Sequence, residues 1–343
     1  MKRAFRLWRI GVVACFGCAA SSPAPATVAE PVAPPLQLGA LTDLVPAAGL
    51  RWLVTGSPRY WAEQPALVGV RERWLTAQRL QAFAQATGIE LARTERALVA
   101  GFDLGTLYLA DGSGWAQKPE LPFIERLAGS ARVQRTHPSV WRVTGLVGST
   151  PEALVRLDDA VVAVAVQDLL LARVVEYRAR GRLPHLVPAL HGAALSALPA
   201  EFLEPGPLAA YALGPLPLGP LPEGARAHGA GLLGAAVAVA ARVQLEGKAL
   251  HVRFALAGAW DDAQDQEQLL SLWQALSTSS LGQALRLDQP SVAPSAHTSE
   301  QVLGLDVVLD AEPVLAGLER VAAGRWEPLL GPPSGSERSE SPR

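Results

Sequence analysis

The first residues in this 343-residue chain whose spacing can do chemistry are the carboxylates of Asp261-Asp262-Ala-Gln-Asp265. A DDxxD run can offer one or two carboxylate oxygens to a magnesium ion, with substrate phosphates completing the shell. The same acids at a helix start serve as cap and dipole partner. No second acidic cluster accompanies them, so capping is the expected role. Gly229-Ala-Gly231-Leu-Leu-Gly234 spells the GxGxxG of a dinucleotide loop, which needs an apolar strand before it and an acid about twenty residues after it. Here Pro-Glu-Gly-Ala-Arg-Ala-His precedes the run and Phe254 stands at the acid's place. A flexible glycine lead-in to a helix of small residues is the expectation.

His185 and His191 are separated by Pro188 and do not share a helix face, and no HExxH occurs, so they read as solvated loop histidines. Ser113, in Asp-Gly-Ser-Gly-Trp, lacks the first glycine of a nucleophile elbow and follows a turn rather than a buried strand. Trp74, Trp141 and Trp273 fall on apolar faces and read as core, whereas Trp61 and Trp115 fall in expected loops. No catalytic, cofactor-binding or metal-ligating residues are therefore assigned.

The elements that would carry such groups read as follows. Leu50 to Thr55, 97–102, 106–110, Trp141 to Val147, 153–157 and Val161 to Val166 are strand candidates. The last is apolar throughout, as a central strand is. Val70 to Ala86 reads as one helix stopped by Gly88, 122–128 as a short helix, and 169–180 as a helix capped by Asp168, with Glu176 and Arg180 paired and Gly181 as its stop. Beyond a proline-rich stretch with one strand at 209–213, residues 231–241 fit helix or strand. A hairpin follows around Gly247, then a helix at 262–276, a strand at 302–309 and a last helix at 312–323 started by Asp310 and Pro313.

The N-terminus has Lys2, Arg3, Arg6 and Arg9 with no acid, an apolar run from Ile10, then Cys18-Ala-Ala-Ser-Ser and a Pro/Ala run. A basic start, a short apolar segment and small residues form an export signal. The apolar run is about half of the roughly 20 residues that span a bilayer. Both cysteines of the chain, Cys15 and Cys18, lie here, so the body has no thiol for a disulfide, a zinc site or a nucleophile. These residues resemble the signal of bacterial lipoproteins, in which a cysteine is diacylated and becomes the new N-terminus. Cys18 is the preferred acceptor because it leaves a proper apolar length before it. Cys15 is the alternative, with a better-matched box but a very short apolar run, and plain cleavage after Ala19 or Ala20 is the rival. Since no acid follows either cysteine, the resemblance implies the outer membrane, facing the periplasm or the surface. It covers about the first twenty residues and implies nothing about the fold of the rest.

A formal net charge of −2 with scattered arginines argues against a nucleic-acid partner. Absent asparagine leaves no N-glycosylation sequon. With 49% hydrophobic residues, a core is assured. The expected fold is α+β: antiparallel sheets with helices packed on one face, in two lobes. The expected organisation is a signal at 1–18, a Pro/Ala linker at 19–36, a first lobe at 37–183, a Pro-rich connection at 184–222, a second lobe at 223–330 and a disordered tail at 331–343. The expected function is a membrane-tethered, non-enzymatic scaffold or interaction module of the cell envelope. The alternatives are a carrier for an apolar ligand such as a lipid, and an enzyme whose site is assembled from residues far apart in sequence.

Overall fold

The computed structural model describes residues 33–74, 76–112, 115, 118–183, 198, 202, 206–214, 216, 222–299 and 301–323. Cys15, Cys18, the 19–32 part of the linker, Ser113, His185, His191 and the 331–343 tail lie outside them. The described residues from Pro35 onward form one compact unit.

Its strands are β1 Leu50–Gly56, β2 Thr94–Phe102, β3 Thr106–Gly112, β4 Arg132–His137, β5 Val140–Val147, β6 Thr150–Leu157, β7 Val161–Val166, β8 Leu208–Leu213, β9 Ala238–Glu246, β10 Ala249–Ala257, β11 Pro290–Ser299 and β12 Val302–Asp310. The helices are α1 Pro58–Glu63, α2 Val68–Trp74, α3 Ala77–Thr87, α4 Glu120–Arg126, α5 Leu169–Ala179, α6 Glu223–Ala235, α7 Asp262–Ser277, α8 Ser280–Ala284 and α9 Ala311–Ala323. The fold is α+β. Its strands form one antiparallel sheet in the order β11-β12-β10-β9-β8-β1-β2-β3-β7-β6-β5-β4. The two expected lobes are halves of this sheet, joined where β8 pairs with β1 on one side and β9 on the other.

Strand alternation sorts the core onto the two faces. One face presents Leu53, Leu98, Ala100, Leu107, Leu109, Ala153, Val155, Ala163 and Ala165, covered by Leu171, Ala172 and Val175 of α5 and by Leu41, Leu44 and Val45. The opposite face carries two clusters. Phe123 and Leu127 sit over Val143, Leu154 and Val162, while α6, α7 and α9 bring Leu232, Leu269, Leu272, Trp273, Val314 and Leu315 onto Leu245, Leu250, Leu256, Leu303 and Leu305. Most helices share this second face, with α5 on the first. The physical reason is that β7 is apolar on both sides, while β6 presents Ala153, Val155 and Leu157 on one side and Leu154 on the other, so each side must be covered. Each fully buried leucine contributes about 1.5–3 kcal/mol to that drive.

Several local expectations meet their causes here. Asp168 accepts from Leu170 N at 2.9 Å to start α5, and Gly181 at φ 63° follows its end. The single helix expected over 70–86 is two, because Thr76 leaves helical geometry and its hydroxyl accepts from Arg79 N at 3.2 Å, founding α3 anew. The ambiguous 231–241 stretch is both things in turn: the end of α6 and the start of β9. The edge strands β4 and β11 escaped the reading. β4 is exposed over Arg132 to Arg135, and β11 carries Pro290 and Pro294, which only an edge tolerates.

Candidate functional site

The site begins with Val162, Val164 and Val166 of β7. Ala163 and Ala165 of the same strand face α5, so the valines are the strand's second apolar side. Tyr108 on β3 and Leu154 on β6 lie beside Val164 in the sheet. Above them stand α3, with Phe83 and Thr87, and α4, with Phe123 and Arg126. These walls stay apart around an apolar groove of about 320 Å³, which Ile89 also lines. Gly88 holds them in place. It ends α3 at φ +73°, and a Cβ there would lie 2.7 Å from the Cα of Pro119, which precedes α4. Phe83 and Tyr108 remain 39% and 45% exposed, so two aromatic rings are half in water at the groove.

Arg126 is the one charged side chain among the described lining residues. Its Nη2 donates to Oε2 of Glu152, whose side chain is 10% exposed, and its guanidinium carbon sits 4.9 Å from the centroid of the Phe123 ring. Beneath α4, Arg156 donates through Nε to Glu120 at 3.0 Å and bonds Asp159 at 2.5 Å. On the opposite face, Glu176 is 1% exposed and bridges Arg142 of β5 at 2.9 Å and Arg180 at 3.1 Å. Arg178 donates to the carbonyls of Asp43 and Val45, pinning the chain before β1; burial lowers its pKa, opposed by the nearby Asp43. Burial pushes the Tyr211 phenol up to about 12, with Arg242 pulling the other way.

No known protein family and no curated protein sequence matches the chain. Among solved structures it is similar to crystal forms of TP0453. Form III matches at a TM-score of 0.45 and 12% identity, over 81% of this chain and 97% of that one. Form I matches at 0.42 and 12%, and form IV at 0.44 and 11%.

Among the described residues, those singled out by sequence are not brought together. Gly229, Gly231 and Gly234 lie inside α6 rather than at its start, so they form no phosphate-binding turn. Gly229 instead lets Leu272 of α7 approach, since a Cβ there would meet it at 3.1 Å. In Asp261-Asp262-Ala-Gln-Asp265, Asp261 precedes α7 and its backbone N–H donates to the Asp265 carboxylate. Asp261 makes no side-chain capping hydrogen bond, so of the expected capping only this reciprocal contact to its backbone N–H is present. Among the described residues no cluster of three or more His, Cys, Asp or Glu side chains could hold a metal ion. Asp111 bonds Arg96, while His137 is four strands away across the sheet, about 19 Å at the usual strand spacing. Trp61 lies in α1 rather than a loop, and its indole donates to Pro207 O at 2.6 Å. Trp115 packs against the α4 cluster, its buried N–H without an acceptor among the described residues.

The groove itself was missed. One sequence signal was Phe83, a large aromatic off the apolar stripe of its helix. The other signal was shared by core strands: β7 is apolar on both faces.

Proposed function

We propose that this chain is a binding protein for an apolar ligand, held at the cell envelope by an acylated Cys18, with Cys15 as the alternative anchor. The observation that carries the reading is the groove over β7, where valines, Tyr108 and Phe123 form a concave apolar surface that α3 and α4 leave open. Small-molecule sites are mostly apolar clefts with a few polar groups, of about 300–1,000 Å³, and this one has that character at the small end. Native mass spectrometry of the full chain purified from the envelope, followed by solvent extraction, tests it. A reproducible extra mass that leaves as a lipid and is absent from Val164→Trp supports the reading. A bare chain, or an extra mass indifferent to that substitution, overturns it. Mass analysis of the N-terminal peptide from Cys18→Ala and Cys15→Ala chains tests the anchor.

The scaffold is the second reading, favoured by the charged side of β9, β10 and β12, where Arg253 bonds Asp306 at 2.9 Å away from α6 and α7. Crosslinking to one stoichiometric envelope protein through that side supports it.

A further inference from the structure

The groove is not uniform along its length. Val162 and Val166 are four residues apart on β7, about 13 Å along the strand. Among the described lining residues only one end carries a charged side chain. Glu152 pairs with Val166 across the β6–β7 ladder, and Arg126 bonds Glu152, so the guanidinium stands at the Val166 end. At the Val162 end the residue paired across the same ladder is Arg156, but it is buried, is committed to Glu120 and Asp159, and is not among the described lining residues. Thr87 adds no free donor, because its hydroxyl donates to Phe83 O at 2.7 Å and accepts from Ile89 N at 3.1 Å.

From this polarity we infer that the ligand is a single-chain amphiphile whose head accepts hydrogen bonds, seated with its head at Arg126 and its tail along Val164 toward Val162. The inference rests on the groove being the binding site. One Arg126 nitrogen is committed to Glu152, and the arginine side chain is 44% exposed, so its remaining N–H groups are available to a ligand head. Such a bond is charge-assisted, and the stacked Phe123 ring holds the guanidinium plane in place. Because Glu152 already balances the arginine, the head needs acceptor oxygens and no charge of its own. A carboxylate and a carboxylic ester both qualify. The 320 Å³ volume suits one chain, not the several chains of a bilayer lipid.

The test is displacement of cis-parinaric acid from the full chain in non-ionic detergent, using decanoic acid, methyl decanoate and decane as competitors and the Val164→Trp chain as blank. The expected result is that the acid and the ester each compete about tenfold or more better than decane. A lead of the acid over the ester points to a free fatty acid, and parity or the reverse to an ester. Either supports the inference. In the chain carrying Arg126→Gln with Glu152→Gln, which removes the guanidinium without stranding a buried carboxylate, the preference should shrink to about threefold or less while decane competes as before. Equal competition by all three in the native chain, with Val164→Trp still abolishing the probe signal, overturns the head assignment and leaves the groove. A probe signal unchanged by Val164→Trp overturns the groove reading itself.

Discussion

Replacing Glu176 by glutamine should be among the most damaging conservative changes in this protein. Its carboxylate is 1% exposed and faces two guanidiniums whose side chains are each 13% exposed, Arg142 at 2.9 Å and Arg180 at 3.1 Å. Removing one partner of a buried pair costs roughly 3–5 kcal/mol, because the other charge is left in a poor solvent. Here two cations lose their counterion together, and Gln134 offers Arg142 only a neutral acceptor. A loss of about 4 kcal/mol is expected on that scale. Arg180→Gln leaves the Arg142–Glu176 pair in place and should cost about 1.5–3 kcal/mol, the worth of one bond to a charged group. Asp103→Asn breaks the Arg51 pair, whose side chains are 59% and 48% exposed, and should cost no more than about 1 kcal/mol. Urea unfolding followed by tryptophan fluorescence measures all three. With a slope of about 3 kcal/mol/M, Glu176→Gln should lower the midpoint by about 1 M or slightly more. A Glu176→Gln midpoint no lower than that of Asp103→Asn would refute the view that α5 is locked to β5 through this carboxylate.

Two further outcomes follow from the same packing. Gly282→Ala should destabilise by about 1–3 kcal/mol, because its Cβ would lie 2.2 Å from Leu276 O and 2.4 Å from Ser277 O. Gly234→Ala, in a helix with nothing within 4 Å of the new Cβ, should stabilise by about 0.5–1 kcal/mol; thermal melts of both chains check the contrast. Tyr211 has its folded pKa raised to about 12 against an unfolded value near 10, so the folded chain holds the proton where the unfolded one releases it. Its contribution is fully present below about pH 10 and is lost as pH rises toward 12, with a slope approaching about 1.4 kcal/mol per pH unit. Tyr211→Phe should remove that part of the alkaline loss, and identical alkaline slopes in the two chains would refute it.

Much of the local structure was legible because its causes are local. Asp168 and Gly181 bracket α5 within a few residues of the helix they bound, and the hairpin around Gly247 shows its alternation over consecutive residues. The failures have equally definite causes. Thr76 breaks a helix whose apolar stripe runs through it, since a cap outweighs periodicity once the hydroxyl finds Arg79 N. β4 has no alternation to read because both its sides meet water, and β11 looks like loop because prolines are tolerated only where a strand has one neighbour. The GxGxxG spelling is placed inside α6 by packing against α7, which no spacing of glycines reveals.

The sequence by itself determined the α+β class, most strand and helix positions and the caps of several helices, because backbone propensity and periodicity act over a few residues. It also determined what the chain lacks for chemistry, a thiol outside Cys15 and Cys18 and any HExxH. Only the tertiary structure decided that β8 would stitch both halves into one sheet, and that α3 and α4 would stand apart over the second apolar side of β7. Only it set Arg126 at one end of that opening. Those are long-range placements, with Arg126 and Glu152 brought together from 26 residues apart, and the free energy that selects them comes from burying surfaces that no short window of sequence contains.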